Sequence, residues 1–375
     1  MKIIYFTKYT HAGPSSRYRS YQYFPYFEKE GIAITARPFF TTAYIEALYG
    51  KGKRSVLSII PRFIQRFFQV LFLKKYDIIF IEYELFPYTP LFIERWLLKG
   101  KKNIVFDYDD AIFHNYDRPG NRLINWLCQG KIYKLVQMAE TVITGSPYLT
   151  EKLQPYAKKI VEIPTSIEYK KYEEALKQVN NIHKKQFRIG WIGSKTTSPN
   201  IILIKQVLIN LQSQFDIELV LIGFDKQLLP QLEGVNYFSL QWNEKTEIEL
   251  MQSFDVGIMP LENTDFNKGK CGFKLIQYMA CGVPTISTPL VANVMINHHA
   301  GNLFASNEEE WEACFKKLIA NAEYFKNIVG KKNKEIIKEL YSVEANGKKY
   351  STLFTDALNE LGCYSERSQR VIQKY

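Results

Sequence analysis

Short apolar runs alternate along this chain with longer stretches of helical periodicity. The first run, KIIYFT, opens the sequence, and IAITARPFF, YDIIFIEYE, NIVFDYDD, TVITGS and KIVEIPT follow at intervals that leave room for helices. Strands covered on both faces read as nearly continuous apolar runs, so the alternation predicts a parallel sheet flanked by helices. The pattern fades over the polar stretch EYKKYEEALKQVNNIHKKQ, and a linker is placed at Ile167 to Gln186. It restarts with FRIGWIGS and continues through IELVLIGF, VNYFSL, DVGIMPL and VPTIST. From Glu308 to Leu361 the chain reads as helical and highly charged. The expected architecture is α/β, with two doubly wound domains at residues 1–170 and 186–345 and a last helix at 346–375. Ligands of such sheets bind outside the carboxyl ends of the strands. Those ends are where candidate chemistry is sought.

Composition narrows the partner. A chain of 375 residues is ample for two cores, and 46% hydrophobic with 15% aromatic content excludes disorder. The net charge of +11 points to an anionic partner: nucleic acid, an anionic membrane surface or a phosphorylated substrate. Charge alone does not choose among them, and the assignment below leaves nucleic acid out. Five scattered cysteines form no CxxC pair, which fits a reducing compartment, and the five histidines show no zinc spacing, so no metal or other cofactor is assigned. No signal-peptide layout opens the chain, and no uncharged run reaches the roughly 18–20 residues of a membrane span. The expected location is cytoplasmic.

Two glycine turns in the second half are candidate anion sites. In IGWIGSKTTSPN a strand ends near Ile192, Gly193 and Ser194 turn, and a helix starts near Ser198 and Pro199, with Lys195 at hand. A glycine required only by packing is the alternative. In NKGKCGFKLIQYMACGVPTIST a helix is expected from about Gly272 to Ala280, with Gly282 after its end and Pro284 beyond. Leu275, Ile276 and Met279 would be its buried face, with Lys274, Gln277 and Tyr278 on the other side. Lys274 sits in the first turn, where the helix dipole disfavours a cation. An anion held by Lys270, Lys274 and the amides around Gly272 and Phe273 would account for it. A solvated surface lysine is the competing reading.

These segments carry a resemblance. GFKLIQYMACGVPTIST resembles the donor segment of the retaining glycosyltransferases of family 4, an E-x₇-E motif followed by AMACGVPV. IGWIGS resembles that family's phosphate loop, VEIPTSI its IPNGVD segment, and DVGIMPL the strand before the donor motif. The matches run in order from about Ile163 to Asn302. The resemblance implies the GT-B fold, two Rossmann-like domains facing a cleft, with the last helix crossing back to the first. It implies a nucleotide-diphosphate sugar as co-substrate, held in the second domain by Gly193, Ser194, Lys195, Lys270, Gly272, Phe273, Lys274 and Gln277, with Gln277 on the ribose. It also implies metal-independent transfer with retention, in cell-surface polysaccharide or lipopolysaccharide assembly. The sequence departs from the motif at both glutamates: the second falls on Gln277 and the first on Gly269, which has no side chain. Glu262 or Asp265 is the candidate replacement.

In the first domain HAGPSSRYRSYQYF follows the first strand, with a helix expected near Arg17. In this fold the loop lines the acceptor side, which makes Gly13, Ser15, Ser16, Arg17 and Arg19 candidates for a saccharide or lipid-linked saccharide. Surface arginines are the plain alternative. VFDYDDAIFH places Asp107, Asp109 and Asp110 at a strand end, with His114 beyond. Three functional readings compete: a metal-binding DxD, the phosphatase nucleophile motif of haloacid dehalogenases built on Asp107, and an acid cluster that orients or deprotonates the acceptor hydroxyl. Capping of the next helix is a fourth. The acid cluster is adopted, with a non-catalytic sugar-nucleotide binder, the phosphatase and, last, an epimerase as alternatives.

The stretch 51–75, KGKRSVLSIIPRFIQRFFQVLFLKK, contains no acidic residue. Ser58, Arg62, Gln65, Arg66 and Gln69 recur at helical spacing as a narrow polar stripe. Two arrangements are expected: the helix packs its apolar face on the sheet with arginines in water, or that face rests on an anionic membrane at the inner face of the plasma membrane.

Overall fold

The computed structural model describes residues 1–49, 59–117, 120, 122–178, 186–297 and 300–372. The chain divides into two compact units, residues 1–165 with 343–375, and residues 166–342. In the first unit β1 (Lys2–Phe6), β2 (Ala33–Ala36), β3 (Ile78–Glu82), β4 (Ile104–Tyr108), β5 (Thr141–Thr144) and β6 (Ile160–Glu162) form one parallel sheet in the order β2-β1-β3-β4-β5-β6. Strands β3, β4 and β5 are buried at every position, which is why they read as unbroken apolar runs. The helix Val343–Ile372 belongs to this unit. Its Tyr350 and Phe354 pack against Phe27 and Phe80 of the core.

The second unit repeats the plan. β7 (Phe187–Ile192), β8 (Ile217–Ile222), β9 (Tyr237–Leu240), β10 (Val256–Met259), β11 (Thr285–Ser287) and β12 (Leu303–Phe304) are parallel in the order β12-β11-β10-β7-β8-β9. Alternate residues feed two cores. Ile192, Val220, Ile222 and Met259 point to one, and Ile189, Trp191, Leu221 and Ile258 to the other. The strand order reverses between β7 and β10, and in the first sheet between β1 and β3. These are the topological switch points, where an open sheet leaves a crevice at its carboxyl edge.

One expected face is inverted. The helix Ile60–Leu71 forms, with Pro61 in its first turn, but the polar residue at its centre, Arg66, is 1% exposed. Its guanidinium donates to the carbonyls of Thr7 (3.3 Å) and Arg37 (2.9 Å) and lies 4.7 Å from the Phe6 ring. Burial pushes its pKa down to about 9. The arginine therefore faces the protein, while Ile60, Ile64 and Phe68 face out. Ser58 and the rest of 50–58 lie outside the described residues. The polar stretch read as a linker contains the helix Tyr169–Gln178, within the second unit.

Candidate functional site

At the switch point of the second sheet the chain leaves β7 through Gly193. A Cβ there would sit 2.3 Å from the Trp191 ring and 2.7 Å from Thr197 Oγ1, so packing requires the glycine. The amide of Gly193 donates to Ile222 O (2.9 Å) and that of Ser194 to Thr197 Oγ1 (3.2 Å). Both amides are thus engaged, which corrects the expectation that they bind an anion. The helix that follows, Pro199–Ile202, has four residues and offers little dipole. What this turn presents is the half-buried Ser194 hydroxyl, 3.0 Å from Thr196 Oγ1, and the exposed Lys195.

The second glycine turn is built differently. The helix Phe273–Ala280 starts after Gly272, whose φ of +63° is left-handed and which has no side chain to cap the helix. Tyr278 fixes the helix to the switch point: its hydroxyl accepts from Ile192 N (2.9 Å) and donates to Ile258 O (3.3 Å). Gln277 is 5% exposed and Tyr278 fully buried, so the outer face expected from the periodicity shrinks to Phe273 and Lys274. Gln277 is corrected from a surface group to one enclosed behind Lys274.

Lys274 reaches back over β7, its Nζ 5.7 Å from the Trp191 ring. Burial first, and then the neighbouring Lys270, push its ammonium down to about 7. Among the described residues it makes no ion pair. Asp265, the candidate replacement carboxylate, is exposed and lies 3.0 Å from Lys268, on the helix Asp265–Lys268 capped by Thr264. Glu262 is exposed too, and Gly269 is buried. The site therefore holds a crowded positive charge at a helix start, which a bound anion would relieve.

The first unit also gathers polar groups at its switch point. Arg19 and Asp107 meet, but inside: each side chain is 1% exposed, and they form a two-point ion pair, with Arg19 Nε donating to Asp107 Oδ2 (2.9 Å). Arg19 Nη1 donates to Ile163 O (2.7 Å). Burial would lower the Arg19 pKa, yet Asp107 holds it well above its ordinary value. Arg19 and Asp107, expected on the acceptor side, are thus turned to each other inside the unit, which favours a structural role for both. Arg17, Ser16 and Gly13 are buried as well, with Arg17 beside the Tyr18 ring (5.1 Å) and Ser16 donating to Glu82. The helix Pro14–Arg19 thus anchors the loop through its polar side chains.

Asp109, like Asp110, is partly exposed at this end. It accepts from Ser15 Oγ (3.0 Å) and from the Tyr83 hydroxyl. Tyr83 holds a φ of +60°, a strained value for an aromatic residue, and Lys8 Nζ lies 4.7 Å from its ring. Burial would lower the Lys8 pKa, but Tyr9, Glu84, Asp109 and Asp110 raise it overall. Asp110 accepts from the amide of Ala111 (3.1 Å), and His114 Nε2 lies 3.1 Å from the Tyr148 hydroxyl. Asp109 and Asp110 both act on Lys8 and Tyr83, whereas Asp107 pairs with Arg19 inside the unit. The sequence reading missed Glu82, which accepts from Ser16, Ser20 and the Lys8 amide (2.8 Å), and which burial pushes up to about 7. It also missed Lys131, paired with Glu84 (2.7 Å) and Glu94 (2.8 Å). Acids inside the apolar run YDIIFIEYE were the available signal.

Residues 186–321 match the family model for glycosyl transferases group 1. This stretch is of the group 1 glycosyltransferase type. Among solved structures, the sucrose-phosphate synthase tll1590 from Thermosynechococcus elongatus matches with a TM-score of 0.68 at 14% identity, over 96% of this chain and 100% of the other. Anabaena Alr3699/HepE in complex with UDP-glucose matches with a TM-score of 0.68 at 13% identity, over 95% and 100%. WaaG, a glycosyltransferase involved in lipopolysaccharide biosynthesis, matches with a TM-score of 0.63 at 13% identity, over 95% and 100%. At these identities the likeness establishes the fold, two Rossmann-like domains of the GT-B type. No curated protein matches the sequence significantly. The matched segment contains each donor-side candidate, from Gly193 to Gln277.

Proposed function

We propose that this glycosyltransferase moves a sugar, with retention of configuration, from a nucleotide-diphosphate sugar to a hydroxyl of a saccharide or lipid-linked saccharide, in cell-surface polysaccharide or lipopolysaccharide assembly. The observation that carries the donor is Lys274, a half-buried cation in the first turn of a helix, with no carboxylate partner among the described residues and its pKa pushed down to about 7. A diphosphate there would meet Lys274, Lys270 and the uncapped first turn, and these charges would stabilise the leaving nucleotide diphosphate. The bond from the sugar's anomeric carbon to phosphate breaks, the acceptor oxygen bonds that carbon on the same face, and the acceptor proton passes to a phosphate oxygen. Gln277, behind Lys274, is proposed to act on the ribose. In the first unit Ser15, Tyr83 and Asp109 are proposed to take the acceptor's hydroxyls.

A thermal-shift screen against UDP-, GDP- and ADP-sugars, followed by product analysis, tests the reading. One sugar nucleotide should stabilise the protein and give a glycosylated product; no shift with any would remove the assignment. Because lysines and the helix dipole meet the leaving charge, transfer is expected to survive EDTA. A strict requirement for Mn²⁺ or Mg²⁺ would contradict this. Asp109→Asn is expected to lower transfer about 100-fold, the order of cost of a misplaced reacting hydroxyl, with donor affinity unchanged. Equal transfer rates would remove Asp109 from the acceptor site.

Gly269 favours a second reading. The resemblance expects a carboxylate there, and the nearby Asp265 is turned to Lys268 (3.0 Å). A protein that binds a sugar nucleotide without turning it over fits this. Donor binding with neither transfer nor donor hydrolysis would select it.

A further inference from the structure

The helix Ile60–Leu71 turns one of its two arginines, Arg66, inward and an apolar stripe outward. Its inner face is secured by Arg66 on two backbone carbonyls and by Val70, which is fully buried. Ile60, Ile64, Phe68 and Leu71 follow at steps of four, four and three, one stripe on the outside. Phe68 is 56% exposed, and Phe72, just past the helix end, 73%. The neighbouring helix Leu91–Leu98 continues the surface. Trp96 stacks on Phe67 with ring centroids 6.1 Å apart, yet it is 63% exposed, and Phe92 lies one turn earlier at 70%. Single exposed apolar residues are ordinary, but a joined surface of seven large ones is an interaction site.

Charge chooses the partner. Between residues 59 and 102 the basic residues outside the core are Arg62, Lys74, Lys75, Arg95, Lys99, Lys101 and Lys102. Of the acids in that span, Glu82 and Glu94 are buried and Glu84 is paired with Lys131, so Asp77 is the one left exposed. Lys74 and Lys75 directly follow Phe72. An aliphatic and aromatic stripe with cations at its end fits an anionic bilayer, where rings and aliphatic chains enter the acyl boundary and ammonium groups meet lipid phosphates. A nucleic acid would have no use for Ile60, Ile64 and Phe68. Among the described residues no helix is long and apolar enough to cross a membrane, so the contact would be peripheral.

We propose that the outer face of the Ile60–Leu71 and Leu91–Leu98 helices docks this protein on an anionic phospholipid surface. The inference does not depend on the donor reading. Full-length protein is expected to co-sediment with phosphatidylcholine vesicles containing phosphatidylglycerol, and to bind pure phosphatidylcholine at least about tenfold more weakly. Phe68→Asp with Phe72→Asp, at exposed positions, should abolish binding while melting temperature stays within a degree or two of the parent. Lys74→Glu with Lys75→Glu should weaken binding about tenfold or more. A parent protein that stays in the supernatant overturns the proposal. So does a Phe68/Phe72 variant that binds as well as the parent. So does a parent dimer that this variant converts to monomer, since a second copy would then own the face.

Discussion

Lys274→Met is expected to lower donor affinity and turnover together, about 100-fold in kcat/KM, while raising the melting temperature. The two effects share one cause. Lys274 is a desolvated cation beside Lys270 at a helix start, so its charged form is costly in the free protein and rewarded by an anion. Removing the charge relieves the first term and forfeits the second; loss of one preorganised donor at a developing anion is worth about 100-fold. The pH dependence follows. The folded-state pKa is about 7, below the usual lysine value of 10.5, so between these the unfolded chain holds more protons than the folded one. Stability from this group therefore rises with pH across that window and is lowest below pH 7. Binding of a diphosphate should raise the pKa again, so at pH 8 binding takes up a proton, measurable by calorimetry in buffers of different ionisation enthalpy. In Lys274→Met both the pH term and the proton uptake should vanish. A variant with parental donor affinity, or with lower stability and no change in proton uptake, would remove Lys274 from the diphosphate site.

The parallel sheets were legible because doubly covered strands print themselves as apolar runs: YDIIFIEYE contains β3 and IELVLIGF contains β8. The glycine turn before Lys274 was legible because the charge contradicts the dipole locally. Sidedness was not. A period of 3.6 separates two faces of a helix and leaves open which one is inside. At 60–71 the carbonyls of Thr7 and Arg37 accept from the Arg66 guanidinium, and Arg66 went in. At 273–280 the core wraps farther round the helix than its apolar stripe implies, because the Tyr278 hydroxyl finds two backbone partners inside. Gly193 misled for a related reason. Its partner, Trp191, lies two residues away, and a packing glycine and an anion-binding glycine look alike in one dimension.

The pairing of Arg19 with Asp107 spans 88 residues, and nothing local announces it. Arg19→Ala or Asp107→Ala alone is expected to cost about 3–5 kcal/mol, because each leaves an uncompensated buried charge. Arg19 carries more than charge: it also satisfies Ile163 O, at the last turn of chain before the second unit begins at Ser166. Replacing both, Arg19→Met with Asp107→Leu, removes the charges together and should recover most of the loss, apart from the Ile163 carbonyl left without its donor. The same variants separate the chemical readings of Asp107. If it only holds the fold, the double variant, assayed at a temperature where it is folded, transfers sugar within a few-fold of the parent. If it were a nucleophile or a metal ligand, activity would be lost in the double variant whatever its stability. Melting curves beside transfer rates for the two single variants and the double therefore decide between a structural ion pair and a catalytic acid, and the near-complete burial of both side chains predicts the first.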